Sequence, residues 1–338
     1  MDFLPKEWDD AVTEFNGTVY HSSWFLEYMM VSHQNKEIQN LSFALIYDSK
    51  FVAIIPLFIE KINNQWQMSM GEEPIASMLY DITLPQKEIL DIFEDIIGHI
   101  NNLAEEKSCT LSRFHISPLM SIQQSNHINF YKLFDYKEVI LEPNWYIFKC
   151  DFSYVINMDV PMDQLYTQIR RRYKSYINKT LKKSRLIILD NNTVTKELFD
   201  KYVEFYYSIK GQRRSIEAFT KDYEAIKNGI EILFICEYNE KFIGSIAIHQ
   251  YNNMARYNSA LMLKVEDLYP NHLLVWESIK YLKDKHCKYY EIGEQVIDNG
   301  MYNLSKKEKD LSFFKSGWGG DLYPWMKAQK EYKLNDIR

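Results

Sequence analysis

The sequence predicts an α/β protein made of two tandem domains, each with antiparallel strands, a helix and further strands on a mixed sheet. Three observations carry this. First, one pattern occurs twice. Residues 43–59 read FALIYDSKFVAIIPLFI, and residues 234–250 read FICEYNEKFIGSIAIHQ. Each is an apolar run broken by a polar tetrad (Tyr47-Asp48-Ser49-Lys50 and Tyr238-Asn239-Glu240-Lys241), as in a β-hairpin with a tight turn. Second, each half then carries a helical stretch ending in Lys-x-Cys and a strand: Lys107-Ser108-Cys109 before 110–116, and Lys285-His286-Cys287 before 288–293. The copies lie roughly 180–190 residues apart, a period that means two domains rather than a solenoid. Third, 338 residues suit two domains of roughly 150 residues each. The expected boundaries are 1–145 and 146–338.

Composition is that of ordinary globular domains, with 46% apolar and 25% charged residues, and excludes a disordered chain. The longest apolar run, 51–59, is too short to span a bilayer. No basic segment followed by an apolar one comes after Met1, so no secretory signal and a cytoplasmic location are expected. Cys109, Cys150, Cys236 and Cys287 are widely spaced, as reduced core thiols are, and the eight histidines form no HxxxH or HExxH pair. No metal site is expected. Most of the 25 Tyr and 19 Phe belong to strands and core.

In order along the chain, 7–15 and 23–30 read as short helices, the second capped by Ser22 or Ser23. The hairpin 42–60 follows, then a strand near 66–70 and a loop at 71–74. Gln86–Glu106 places Ile89, Leu90, Phe93, Ile96, Ile97, Ile100 and Leu103 on one helical face. A strand at 110–116, a helix near 126–134 and a strand at 146–157 lead into the second half. That half opens with a helix at 162–184, followed by helices at 196–209 and 217–228. Strands are expected at 230–238, 241–249 and Met254–Met262, then a helix at 273–285 with Asn271 as N-cap, and a strand at 288–293. The end, 311–325, reads as strand, Gly-Trp-Gly-Gly turn, strand.

Two segments carry chemistry. Residues 169–185 hold eight cations (Arg170, Arg171, Arg172, Lys174, Lys179, Lys182, Lys183, Arg185) and no acid, in a chain of net charge −6. Leu165, Ile169, Tyr173, Tyr176, Ile177 and Leu181 form an apolar stripe beside them. Arg forks and Lys ammonium groups match phosphate oxygens, so Arg170, Arg172 and Lys174, with Arg213 or Arg214 from the turn 211–215, are expected to hold a phosphate. The competing expectation is a solvated basic face. The other segment is Phe313-Phe314-Lys315-Ser316-Gly317-Trp318-Gly319-Gly320, where glycines allow a sharp turn or a close ligand. Lys315 ahead of it is suited to a developing oxyanion, or is simply a solvated hairpin lysine.

These residues resemble a known family. Trp276-Glu277-Ser278-Ile279-Lys280-Tyr281-Leu282-Lys283 with Tyr289-Tyr290-Glu291-Ile292-Gly293 looks like the C-terminal half of the FemAB-type aminoacyltransferases. Phe314-Lys315-Ser316-Gly317-Trp318 is similar to their Phe-Lys-x-Gly-aromatic element. Residues 177–184, INKTLKKS, resemble their basic helix IRKAxKKG, from which Thr180 and Ser184 depart. Trp24-Phe25 and Ile55-Pro56-Leu57 fit the wider FemAB and BioF2-like acyltransferase group of the GNAT superfamily. The resemblance covers most of the chain and implies two tandem GNAT-like domains.

It also implies an N-acyltransferase. Such enzymes pass an aminoacyl or acyl group from an activated donor to an amine of a cell-envelope glycan or peptidoglycan precursor, with no covalent intermediate. The resemblance casts Lys315 as the oxyanion donor, with Gly317 letting the chain turn away. Glu294, just past the expected strand end at Gly293, is the candidate for taking or relaying the amine proton, or is simply a solvated glutamate. Tyr257 on the adjacent strand is the candidate for holding the acceptor. Asn271 joins the substrate-binding set. No permanently bound cofactor is implied; aminoacyl-tRNA or acyl-CoA is the co-substrate. Implied partners are a nucleotide-linked or lipid-linked sugar or peptide precursor, tRNA, and a peripheral approach to the membrane. Two departures bear on the donor. Residues 196–228 have room for only two short helices where larger members carry a long tRNA-binding arm. The glycine-rich acetyl-CoA loop of GNAT enzymes is replaced by Leu268-Tyr269-Pro270-Asn271-His272, a poorer cradle for pyrophosphate. Two other readings stay open: a CoA-dependent N-acetyltransferase acting on an amino sugar, and a non-catalytic binding protein of the same fold.

Overall fold

The repeated tetrads fold into the same turn. In the computed structural model, which describes residues 5–32, 37–70, 74–120, 145–295 and 304–332, Asp48 and Ser49 have φ of 49° and 64°, and Asn239 and Glu240 have 50° and 61°. Two consecutive left-handed residues make a turn whose twist suits a hairpin. The first joins β2 (Phe43–Tyr47) to β3 (Lys50–Ile55), and the second joins β11 (Glu231–Tyr238) to β12 (Lys241–Tyr251). Even the bulge recurs. The register slips between Leu45↔Ala53 and Ile46↔Phe51, and between Cys236↔Gly244 and Glu237↔Phe242, the same distance from each turn.

The chain forms two compact units, Met1–Asp151 with Pro324–Arg338, and Phe152–Tyr323. The boundary expected at 145/146 is thereby corrected: it falls inside a strand, and the C-terminal segment returns to the first unit.

In the first unit, α1 (Pro5–Glu14) and α2 (Ser23–Ser32) precede β1 (Ile38–Asn40), β2 and β3. Then come β4 (Phe58–Ile62), β5 (Gln65–Met68), β6 (Ile75–Ala76), β7 (Leu79–Tyr80), α3 (Gln86–Glu106) and β8 (Cys109–Ile116). One sheet runs β1-β4-β5-β8 and ends on β15 (Asp321–Glu331), with β6 also on β8; a separate sheet is β2-β3-β7. The two hairpins therefore sit in unlike sheets, contrary to expectation. Pro56 has no N–H to continue the β2–β3 ladder, and β4 leaves to pair with β1 and β5. Ile89, Phe93, Ile96 and Ile100 are buried on one face of α3, each contributing about 1.5–3 kcal/mol of apolar burial.

The second unit begins in β9 (Trp145–Asn157). Next are α4 (Met162–Gln168), α5 (Arg171–Leu181), β10 (Arg185–Leu189), α6 (Lys196–Lys210) and α7 (Ile216–Lys227). After β11 and β12 come β13 (Met254–Met262), α8 (Pro270–Asp284), β14 (Tyr289–Gln295), α9 (Lys306–Lys315), a 3₁₀ turn (Ser316–Trp318) and the start of β15. Its sheet order is β9-β14-β13-β12-β11-β10. Only β13–β14 is parallel, as the crossover through α8 requires. Ile156, Ile177, Phe234, Ile246, Leu273 and Ile292 belong to the core on one face of this sheet, and Phe199, Phe219, Leu233 and Ala247 to that on the other.

Several expectations are corrected here. The single helix over 162–184 is two, broken where Ile169 and Arg170 are extended (ψ 135° and 130°). The Arg170 N–H is drawn out to the Gly317 carbonyl at 2.9 Å. Arg185 belongs to a strand that the apolar pattern left unread. Residues 311–315 are helical, not extended. Asn271 is not the N-cap: Tyr269 occupies that position and Pro270 starts the helix. The helix expected near 126–134 and nearly all of the loop at 71–74 lie outside the described residues. Cys109, Cys236 and Cys287 are buried free thiols. No helix among the described residues is long and apolar enough to cross a membrane.

Candidate active site

Helix α9 brings Lys315 to the sheet. A capping box starts it: the Glu308 N–H donates to Ser305 Oγ at 3.2 Å, and the Ser305 N–H to Glu308 Oε2 at 2.8 Å. Its other end is pinned by α5 and the break before it. Arg170 Nη1 donates to the Phe313 carbonyl at 2.9 Å and to Tyr173 Oη at 3.0 Å, and Nη2 donates to Ser316 Oγ at 3.1 Å. Its guanidinium lies 3.8 Å from the Phe313 ring centroid. The Tyr173 hydroxyl is shared between the carbonyls of Phe313 and Phe314, each at 3.2 Å. These donors satisfy carbonyls that a helix end leaves without partners, and the cation suits the negative end of the helix dipole. At Gly317 a Cβ would stand 2.1 Å from Tyr173 Cε2. This glycine makes room for a ring. The positive-φ residues of this glycine-rich turn are Gly319 and Gly320, with φ of 82° and 89°.

Strands β13 and β14 share a register only from Met254↔Tyr289 to Arg256↔Glu291. Beyond that, β13 continues with β12 and β14 with β9, so the sheet forks. At the fork β14 bulges between Glu291 and Gly293, and Gly293 has φ of 114°. Lys315 lies over this glycine, its Nζ 3.0 Å from where a Cβ would stand.

Burial pushes the Lys315 ammonium below its ordinary pKa. Glu294 opposes that most strongly, Arg256 lowers it further, and Glu291 raises it. Glu291 is wholly buried. Its Oε1 accepts from Ser153 Oγ at 2.9 Å, and its Oε2 lies 3.8 Å from Arg256 Nε. Successive strand residues face opposite sides, so the next residue, Tyr257, turns away from Glu291. It donates to Asn271 Oδ1 in the first turn of α8 at 3.2 Å. Burial raises the Tyr257 hydroxyl above its ordinary pKa, and the bond to Asn271 offsets part of this.

The structure thus brings Lys315 and Glu294 together, and Tyr257 with Asn271. It divides the expected phosphate-binding set. Arg170 is turned to the end of α9. Arg214 is turned inward to Asp222, 2.5 Å away, with its guanidinium 4.9 Å from the Phe219 ring. Neither stands where the phosphate expectation put it. Arg172 and Arg213 are exposed. Lys174 lies 4.6 Å from the Tyr166 ring and donates to the Thr167 carbonyl at 3.4 Å. The expected stripe is buried at Leu165, Ile169, Tyr173 and Ile177, whereas Leu181 is exposed.

The sequence assigns no site role to Glu291, Arg256, Ser153 or Tyr173, although Tyr173 lies in its apolar stripe and Glu291 in the family-like motif. An acid inside the apolar run Tyr289-Tyr290-Glu291-Ile292 was the available signal for Glu291, and Ser305-x-x-Glu308 was the signal for α9.

The start of α8 is crowded with side chains. The Tyr269 N–H donates to Thr180 Oγ1 at 2.9 Å, and its ring stacks on Tyr176 at 3.7 Å. The His272 and Leu273 N–H groups both turn back to the Tyr269 carbonyl, at 3.1 and 3.3 Å. Pro270 has no N–H. Burial lowers the pKa of His272 to about 4, among the rings of Tyr173, Tyr176, Phe314 and Trp318.

No protein-family model matches this sequence, and no curated protein matches it. Solved structures do. A crystal structure of FemX is 14% identical, covers 96% of each chain and gives a TM-score of 0.67. L-PGS from Bacillus licheniformis is 8% identical, over 99% of this chain and 93% of its own, with a TM-score of 0.56. A conserved protein of unknown function from Bacteroides thetaiotaomicron VPI-5482 is 10% identical, over 98% and 99%, also with a TM-score of 0.56. At these identities the likeness is one of fold. The expected α/β fold, a mixed sheet with helices in two compact units, is the fold of this chain, and it is FemX-like over nearly its whole length.

Proposed function

We propose that this protein is a FemAB-type N-acyltransferase. It moves an aminoacyl group from aminoacyl-tRNA to an amine of a cell-envelope glycan or peptidoglycan precursor. The observation that carries the reading is the position of Lys315, over Gly293 at the β13–β14 fork, among Glu294, Glu291 and Arg256. Its support is the FemX-like fold together with the Phe-Lys-x-Gly element.

The acceptor amine, in its neutral form, attacks the ester carbonyl carbon. An N–C bond forms as the carbonyl π electrons move to oxygen. Lys315 donates to that oxyanion, an interaction worth about 3–4 kcal/mol where such donors have been removed. Glu294 takes the proton the amine loses. The intermediate then collapses, the C–O bond to the tRNA ribose breaks, and the leaving oxygen takes the proton from Glu294, which returns to its carboxylate. Positioning of both substrates supplies the rest, so no nucleophilic side chain is needed. Arg172, Lys174 and Arg213 attract the acceptor's phosphates, and the Tyr257–Asn271 pair lines the approach to the fork.

Aminoacyl-tRNA is favoured over acyl-CoA because the start of α8 has few free N–H groups for pyrophosphate and is packed with aromatic rings. The test is to incubate the protein with a UDP-linked peptidoglycan precursor and either a mixture of aminoacyl-tRNAs or acetyl-CoA, then weigh the acceptor. A gain of one aminoacyl mass is expected in the tRNA arm. An acetyl gain would transfer the reading to the CoA-dependent enzyme, and no gain with any amine-bearing envelope precursor would overturn it.

A further inference from the structure

We propose that Glu291 and Arg256 are positioning residues that act through their charges on the Lys315 ammonium at the fork, as links in a buried polar row crossing four strands. The registers set the row: Glu231 of β11 pairs with His249 of β12, His249 with Arg256 of β13, and Arg256 with Glu291 of β14. Directly paired residues share a face of the sheet. His249 Nε2 lies 3.2 Å from Glu231 Oε2, and Arg256 Nε lies 3.8 Å from Glu291 Oε2. Glu231, His249 and Glu291 are buried, and the Arg256 side chain is only 16% exposed. At one end of the row Ser153 Oγ fixes Glu291 at 2.9 Å, and Lys315 and Glu294 follow. At the other end stands the Arg214–Asp222 pair.

A buried carboxylate is costly unless paired, and simple packing would have put an aliphatic residue at 291, between Tyr290 and Ile292. The charge there acts on a lysine that must remain cationic to meet an oxyanion. Burial and Arg256 both oppose the ammonium form; Glu294 and Glu291 favour it. Arg170 and Tyr173 face the other side of the α9 end, at Phe313, Phe314 and Ser316. The row therefore bears on whether Lys315 is charged, which a purely structural ion pair would not do.

The proposal rests on the reading of Lys315 as the oxyanion donor, yet its test needs no substrate. In protein labelled with 13C-lysine, the Lys315 side chain is assigned by its loss in Lys315→Arg and titrated by NMR. Glu291→Gln should lower its midpoint, and Arg256→Gln should raise it. The shifts have opposite signs, which general loosening would not produce, and either variant alone decides the question if the other does not fold. A midpoint unmoved by the substitution, or moved the opposite way, removes the row from the account and leaves the transfer reading standing. Near-normal acyl transfer by a folded Lys315→Met protein overturns both together.

Discussion

Lys315 Nζ lies 3.0 Å from the point where a side chain at Gly293 would begin, and Gly293 has φ of 114°. The glycine is thus fixed twice, by its backbone and by the lysine above it. Gly293→Ala should cost about 1–3 kcal/mol of stability and push Lys315 off the fork. Turnover should fall by roughly 100-fold, as for loss of the lysine. Paired urea melts and acyl-transfer rates check this, and wild-type turnover in the alanine variant would contradict it.

Arg170 and its basic neighbours should behave differently on substitution. Arg170→Gln removes charged hydrogen bonds from the end of α9 and should lower stability by about 1.5–3 kcal/mol, with acceptor KM unchanged in the folded protein. Arg172→Glu with Lys174→Glu should leave stability nearly alone, raise KM for a phosphorylated acceptor and weaken the salt dependence of binding. Calorimetry and kinetics at two ionic strengths separate the two roles.

Local signals in the sequence were read well, and distant ones were not. The two tetrads gave the hairpins because a tight turn is fixed by its own few residues. The apolar stripe of α3 gave its bounds because one face packs on a sheet. The break at Ile169–Arg170 depends on the Gly317 carbonyl, more than 140 residues away, and no periodicity reports it. Lys315 and Glu294 could be named from motif and position. Glu291, Arg256 and Ser153 come together only through strand registers, and the fork that gives them meaning exists only once β13 and β14 separate.

The turns make a prediction of their own. Glu240 and Ser49 occupy left-handed positions that a Cβ disfavours. Glu240→Gly and Ser49→Gly should each stabilise the protein, by about 0.5–1 kcal/mol, because glycine enters this region without strain. Denaturant midpoints test both, and a loss of stability in either would contradict the turn assignment.

His21 gives the first unit a pH dependence. It is wholly buried; its Nδ1 accepts from the Thr18 N–H at 3.3 Å, and its Nε2–H donates to the Ser77 carbonyl at 2.8 Å. Burial lowers its pKa to about 4. The unfolded chain therefore binds this proton first, and stability present above about pH 6.5 is lost as pH falls towards 4. The loss attributable to His21 is about 3 kcal/mol. His21→Gln should have a flatter stability profile across that window, measured by urea melts at several pH values. An unchanged slope would remove His21 as its source.

The most direct measurement of the central claim is acyl transfer by Lys315→Met. Methionine keeps much of the side-chain bulk over Gly293 and removes the charge. With the fold verified by circular dichroism, transfer from aminoacyl-tRNA to an envelope-precursor amine should have a kcat at least roughly 100-fold below wild type. A folded Lys315→Met protein with near-normal kcat would contradict the account.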